Sequence, residues 1–177
     1  MMLLKAKGKT RTLQFLQEHH FLFIERPFQE AADKILLWGW SEWWPHDNPL
    51  QYTLVTDGRI PAVGEACKAS LGGRVLRAVF RGEVLQFKPQ RVLQMEWRSG
   101  MMSGQEFVLV EERSNGIRID HRVRYKGTNI LTHLLWVLCF RKKYRRCVIG
   151  AFEAMRRYFE EQERHWIDDA KGVRQHG

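Results

Sequence analysis

A single α+β domain is the fold class this sequence predicts, and three observations predict it. Between residues 51 and 126, six short runs follow one another with turn residues between them. Consecutive strands joined by tight turns form an antiparallel sheet. The clearest of these runs are apolar at alternate positions only, so one face of the sheet is covered and the other is wet. One helical pattern precedes the block and a longer one follows it, and only these helices can cover the apolar face. The 177 residues are 44% hydrophobic, ample for a single core and too apolar for a disordered chain. With 14 Gly, 5 Pro and 3 Cys, collagen-like and disulfide-stapled chains are excluded.

The elements follow in order. Residues 19–26, rich in aromatic and apolar side chains, predict a first strand. Pro27 suits the first turn of a helix, where a missing N–H costs nothing. Phe28, Ala31, Ala32, Ile35 and Trp38 then recur at helical spacing, and Gly39 ends the pattern. A second short helix is expected over Trp40–Trp44, before Pro45. Strands follow at 51–56 (before Asp57-Gly58), 64–71 (before Gly72-Gly73) and 74–88. Within the last of these, Gly82 marks a bulge where the apolar parity switches. In 92–98, Leu93, Met95 and Trp97 share one face. Residues 103–112 come next, then a turn at Ser114-Asn115-Gly116. In 117–126, Ile117, Ile119, His121, Val123 and Tyr125 share one face, while Arg118, Asp120, Arg122, Arg124 and Lys126 share the other. Tyr144, Val148, Phe152, Met155 and Phe159 form the stripe of a long helix, expected from near Arg141 to Trp166.

The net charge of +9 is concentrated in two segments. Residues 1–17 carry four basic side chains and residues 121–152 carry eight, with no acid in either. A local basic face points to phospholipid or nucleic acid, or to plain solvation. Cys67, Cys139 and Cys147 have neither disulfide-framework nor zinc-ligand spacing, which predicts reduced thiols and a cytoplasmic location. The most apolar stretch, 130–140, is too short to span a bilayer, which takes about 20 residues. No P-loop, GxGxxG, HExxH or GxSxG motif is present, and no metal or cofactor is expected.

This element order, with its landmarks, resembles the START-like superfamily of polyketide cyclases and lipid-transfer proteins (SRPBCC). The landmarks are Ile24-Glu-Arg-Pro-Phe-Gln-Glu, Trp43-Trp44-Pro45, and Asp57-Gly58 followed by Val63-Gly64. They continue with residues 84–93, Phe107-Val-Leu109 and Asn115-Gly116-Ile117. The resemblance implies the helix-grip fold: a curved seven-stranded antiparallel sheet wrapped around a long C-terminal helix, with two short helices after the first strand. It divides the chain into a basic arm (1–11), a ligand-binding domain (12–166) and a tail (167–177). It also implies a cavity for a hydrophobic or amphipathic small molecule or lipid. The carrier or sensor reading is preferred to a cyclase- or hydratase-like enzyme in the same cavity, because the scaffold itself fixes no reaction.

Apolar lining of such a cavity is expected from Leu93, Met95, Trp97, Phe107, Leu109, Ile119, Val123, Phe152, Met155 and Phe159. Trp43, one of four tryptophans in seven residues, lies either at the cavity mouth or in the core. His121 and Tyr125 are the polar groups best placed to orient a ligand, although a hydrogen-bonded core histidine is the preferred reading of His121. Glu106 shares parity with Val108 and Val110 and is expected on the wet face, leaving His121 without an orienting carboxylate.

The leucine-rich stretch with Trp136 runs into Arg141, Lys142, Lys143, Arg145 and Arg146, a pattern suited to peripheral contact with an anionic membrane. The same residues would also seal a cavity and solvate a helix start. Cations in a first helical turn oppose the helix dipole, so either the helix begins before Arg141 or the charges serve a partner. Nucleic acid is disfavoured as a partner, because the basic strand face lacks aromatics on which bases could stack. The sequence leaves the oligomeric state open.

Overall fold

The structure is a computed structural model and describes residues 13–25, 28–54, 61–73 and 76–173, with side chains described outside 28–30 and 163–173. The basic arm, Pro27 and the Asp57-Gly58 turn lie outside the described residues.

The seven strands are β1 (Leu16–Ile24), β2 (Leu50–Leu54), β3 (Ala66–Gly72), β4 (Arg77–Lys88), β5 (Val92–Gly100), β6 (Met102–Arg113) and β7 (Gly116–Gly127). They form one antiparallel sheet in the order β1-β7-β6-β5-β4-β3-β2. Five of the six pairings are between consecutive strands; only β1 crosses over, to lie beside β7. The helices are α1 (Phe28–Leu36), α2 (Ile130–Leu135) and α3 (Arg141–Val173), with a π-helical turn, Trp136–Phe140, joining the last two. Helix α3 touches both β1 and β2, the opposite edges of the sheet. A flat sheet could not meet one helix at both edges, so the sheet is curled around α3.

The inner face holds the core. Leu22 and Ile24 of β1, Leu93 and Met95 of β5, and Ile117 and Ile119 of β7 meet Val148, Phe152, Met155 and Phe159 of α3. Ala31, Ala32, Ile35 and Leu36 of α1 complete it with Trp38, Trp43 and Trp44. Gly39 adopts φ +76°, and a β-carbon there would lie 2.3 Å from the Tyr52 ring. Only glycine both ends α1 and lets β2 pass this close.

One expectation is corrected here and two are refined. Residues 37–45 form turns rather than a second short helix, because their large rings satisfy themselves by packing on Trp38 instead of along a helix face. The register does break at Arg81/Gly82 as expected, with Arg98 of β5 the extra residue, but the parity switch on β4 falls at Leu85, since Val84 pairs with Met95 and Gln86 with Gln94. Gly82 marks a close approach, since a β-carbon there would meet the Glu96 carbonyl oxygen at 1.8 Å. Thirdly, α3 starts at Arg141 as expected but runs to Val173 rather than Trp166, and the helical backbone continues back through the π-helical turn and α2 to Ile130, capped by Asn129. The Asn129 side chain accepts from Thr132 N at 2.9 Å, and Thr132 Oγ1 accepts from Asn129 N at 3.0 Å, a capping box. The cations at 141–146 therefore lie well past the first turn and do not oppose its dipole.

Candidate functional site

Between the sheet and the π-helical turn lies a small chamber. Tyr52, Phe80, Trp97, Glu106, Val123 and Tyr125 line it from the strands, and Trp136 and Tyr144 from the helical side. It has about 30 Å³ open to a water-sized sphere, room for one or two waters. Aromatic rings fill the rest: Trp136 meets Phe80 edge-on at 5.5 Å and Tyr125 at 5.3 Å.

Glu106 is the polar centre of this chamber and is 2% exposed. Its Oε1 accepts from Tyr52 Oη at 2.7 Å and from His121 Nε2 at 2.8 Å, and its Oε2 accepts from Trp97 Nε1 at 3.0 Å. His121 meets Glu106 through Nε2, and its buried Nδ1 has no hydrogen-bond partner among the described residues. The imidazole stacks on Trp38 at 4.7 Å. His121 stands behind Glu106, outside the chamber lining. Burial, then the Glu106 charge, pushes both Tyr52 and Tyr144 well above the usual phenol range, so both keep their protons. Tyr144 Oη is buried, lines the chamber and has no hydrogen-bond partner among the described residues, while Trp136 Nε1, buried beside it, makes only a weak contact with the Tyr125 hydroxyl.

A second buried carboxylate, Glu18 of β1, ties the sheet edge to the helix. It accepts from Tyr125 Oη at 3.0 Å, Arg141 Nε at 2.7 Å and Arg145 Nε at 2.6 Å. Burial pushes the Glu18 carboxyl up, but the hydrogen bonds from Arg145, Arg141 and Tyr125 outweigh it and hold it below the usual carboxylate value.

The residues singled out in the sequence fall into three groups. Trp97, Val123 and Tyr125 line the chamber. Leu93, Met95, Ile119, Phe152, Met155 and Phe159 are buried in the surrounding core, and Trp43 packs beside α1, its Nε1 donating to Lys34 O at 2.8 Å. Phe107 and Leu109 are half-buried on the outer face, in a groove with His19, Arg122 and Arg124. Their expected inward position is therefore corrected: Glu106, Val108 and Val110 are the inward row of β6. Glu106 is accordingly dry, and it is the carboxylate that His121 lacked in the sequence reading. The hairpin could have revealed it, because pairing Arg113 with Gly116 across the Asn115 turn places Glu106 opposite Val123 on the inner face.

The basic residues also divide. Trp136 is 2% exposed and belongs to the chamber, not to the surface. Arg141 and Arg145 hold Glu18, while Lys142, Lys143 and Arg146 make no ion pair among the described residues. The basic strand face does carry aromatics, contrary to expectation: Arg124 and Lys126 lie over the ring of Phe15 at 4.4 and 4.9 Å. Exposed Phe21 and Phe23 stand nearby on β1. Much of that charge is engaged within the chain, Arg118 and Arg122 both binding Asp120. Cys67, Cys139 and Cys147 are free thiols. Among the described residues, no helix is long and apolar enough to cross a membrane.

A curled seven-stranded antiparallel sheet around a long C-terminal helix is the helix-grip fold. Solved structures share it. The ginseng major latex-like protein 151 from Panax ginseng is 11% identical, with a TM-score of 0.57 over 81% of this chain and 97% of its own. Ara h 8.0201 is 10% identical, with a TM-score of 0.57 over the same shares. A protein from Chromobacterium violaceum is 13% identical, with a TM-score of 0.55 over 81% of this chain and 96% of its own. No family model matches the sequence, and no curated protein matches it.

Proposed function

We propose that this protein binds an amphipathic small molecule in the chamber between sheet and helix, as a carrier or sensor. One observation carries the reading. Tyr144 Oη is a buried donor without a hydrogen-bond partner among the described residues, and it lines the same chamber as the Glu106 carboxylate. Leaving such a donor unpaired costs about 1–3 kcal/mol, which an acceptor entering the chamber recovers. A ligand with an acceptor oxygen at one end satisfies this donor, and its hydroxyl finds the free lone pair of Glu106. Its apolar body replaces water against Phe80, Val123 and Leu50. At about 30 Å³ the chamber holds only a water or two, so binding a larger molecule displaces rings; Trp136, seated on the π-helical turn, is the ring to move. His121 positions Glu106 from behind and takes no part in proton transfer to the ligand.

Native mass spectrometry of protein purified without denaturation should reveal a co-purified small molecule. A panel of fatty acids, sterols, quinones and flavonoids should contain compounds that raise Tm. At a hundredfold excess over Kd the stabilisation is about 2.7 kcal/mol, or about 5–11 °C for a chain of this size. Binding should weaken in Tyr144→Phe and Trp136→Phe. No bound molecule and no Tm shift across the panel would refute the reading.

A further inference from the structure

The helical segment that roofs the chamber carries an apolar row on the side facing away from it. Ile130, Leu131, Leu134 and Leu138 are 59, 75, 53 and 80% exposed, and Val137 is 38% exposed. Their spacing of one, three and four residues places them on one side of the helix. Trp136 and Phe140, each 2% exposed, occupy the other. Two helical turns thus present apolar side chains both inward and outward, whereas a surface helix of a monomer turns polar residues outward.

Cations stand at both ends of the row. Lys126 shares a groove with Leu13, Ile130 and Leu131 at one end. Lys142 and Arg146 are exposed at the other. Residues 121–152 contain no acid. The backbone is prepared for an apolar medium at its leading end, because the Asn129–Thr132 capping box satisfies two of the N–H groups that a helix start leaves free.

We propose that this face docks on an anionic bilayer. The aliphatic row enters the boundary between headgroups and acyl chains, and the cations at its two ends lie at headgroup level. The charge decides the occupant: aliphatic side chains bracketed by cations alone match a sheet of apolar chains under an anionic surface. The proposal goes beyond ligand binding and does not depend on it. It also gives the outward leucines a role that the chamber does not.

Co-sedimentation with vesicles tests it. Vesicles of phosphatidylcholine with about a third phosphatidylglycerol should bind the protein about tenfold more tightly than phosphatidylcholine alone. Leu131→Ser combined with Leu138→Ser should lower that binding by about tenfold or more. These side chains are exposed, so Tm should hold and show that the fold is intact. Lys142→Gln and Arg146→Gln should each weaken binding about fivefold, and about 0.5 M salt should weaken it further. The proposal is overturned if the wild type ignores anionic vesicles or if the leucine variant binds as well as the wild type. It is also overturned if the wild type is a dimer that the leucine variant converts to monomer, since a second copy would then cover the row. Retained ligand binding alongside lost vesicle binding would separate the two readings.

Discussion

Replacing Tyr52 by Phe removes one oxygen from the interior and leaves the ring in place. That oxygen donates to Glu106 Oε1 at 2.7 Å, where the tyrosine is 4% exposed. A carboxylate offers about four lone-pair sites, and Tyr52, His121 and Trp97 occupy three of them. A hydrogen bond to a charged acceptor contributes about 1.5–3 kcal/mol, roughly twice a neutral one. The adjoining chamber can admit a water to the vacated site and return part of the loss. The expected cost is therefore about 1.5–2.5 kcal/mol, which lowers Tm by about 3–10 °C in a chain of this length. Circular dichroism melts and urea titration measure it, with the urea m-value unchanged. The decisive control repeats Tyr52→Phe in a Glu106→Leu background. There the hydroxyl has already lost its acceptor, so removing it should be near neutral. A cost below about 0.5 kcal/mol in the wild type, or the same cost in both backgrounds, would refute the assignment of Glu106 as the acceptor that organises this site.

Two further outcomes are expected. His20 stacks on His121 at 5.9 Å, and burial followed by the neighbouring His121 lowers its pKa from 6.5 to about 4. Its folded form is neutral, so the stability it gives is complete above pH 6.5. That stability is lost as pH falls towards 4, because the unfolded chain takes up the proton first. His20→Leu should flatten the dependence of Tm on pH in this window, by up to about 3 kcal/mol between its ends; parallel curves would contradict the burial argument. Gly82→Ala places a β-carbon against the Glu96 carbonyl oxygen, forcing β4 and β5 apart beside Trp97, and should cost about 1–3 kcal/mol in urea titration. A neutral result would mean that the strands yield there.

Much of this architecture was legible in the sequence because single-faced alternation leaves little choice. In residues 93–98 and 117–126 alternate residues are apolar, His121 excepted, and the others are polar or charged, so the inward rows of Leu93, Met95 and Trp97 and of Ile117 to Tyr125 follow directly. Strand β6 is different. Phe107 and Leu109 oppose Val108 and Val110, so both rows are apolar and size favours the wrong one. The inward row also contains Glu106, a residue that burial normally excludes unless partners await it. Those partners, Tyr52, Trp97 and His121, come from three other strands. No local pattern announces such a convergence, although the register of the β6–β7 hairpin does place the carboxylate inside. Trp136 was misplaced for a related reason: a π-helical turn changes the period, and the face of a ring inside it cannot be read from spacing of 3.6.

The crossover of β1 to the side of β7 also has a consequence for synthesis. Leu16 pairs with Tyr125 and Ile24 with Ile117, partners translated about a hundred residues later. At about 5–20 residues per second, β1 waits on the order of 5–20 s for β7, its hydrogen-bonded neighbour in the sheet. Strands β2 to β6 each gain a neighbour within a few dozen residues. During its wait the sequence Phe21-Leu-Phe-Ile24 is an unpaired apolar β-segment on the ribosome-bound chain. Glu18, His19 and His20 immediately before it interrupt the apolar run, as gatekeepers do. Glu18 thus acts twice: it guards the nascent strand, then becomes the anchor for Arg141 and Arg145 when the last helix arrives.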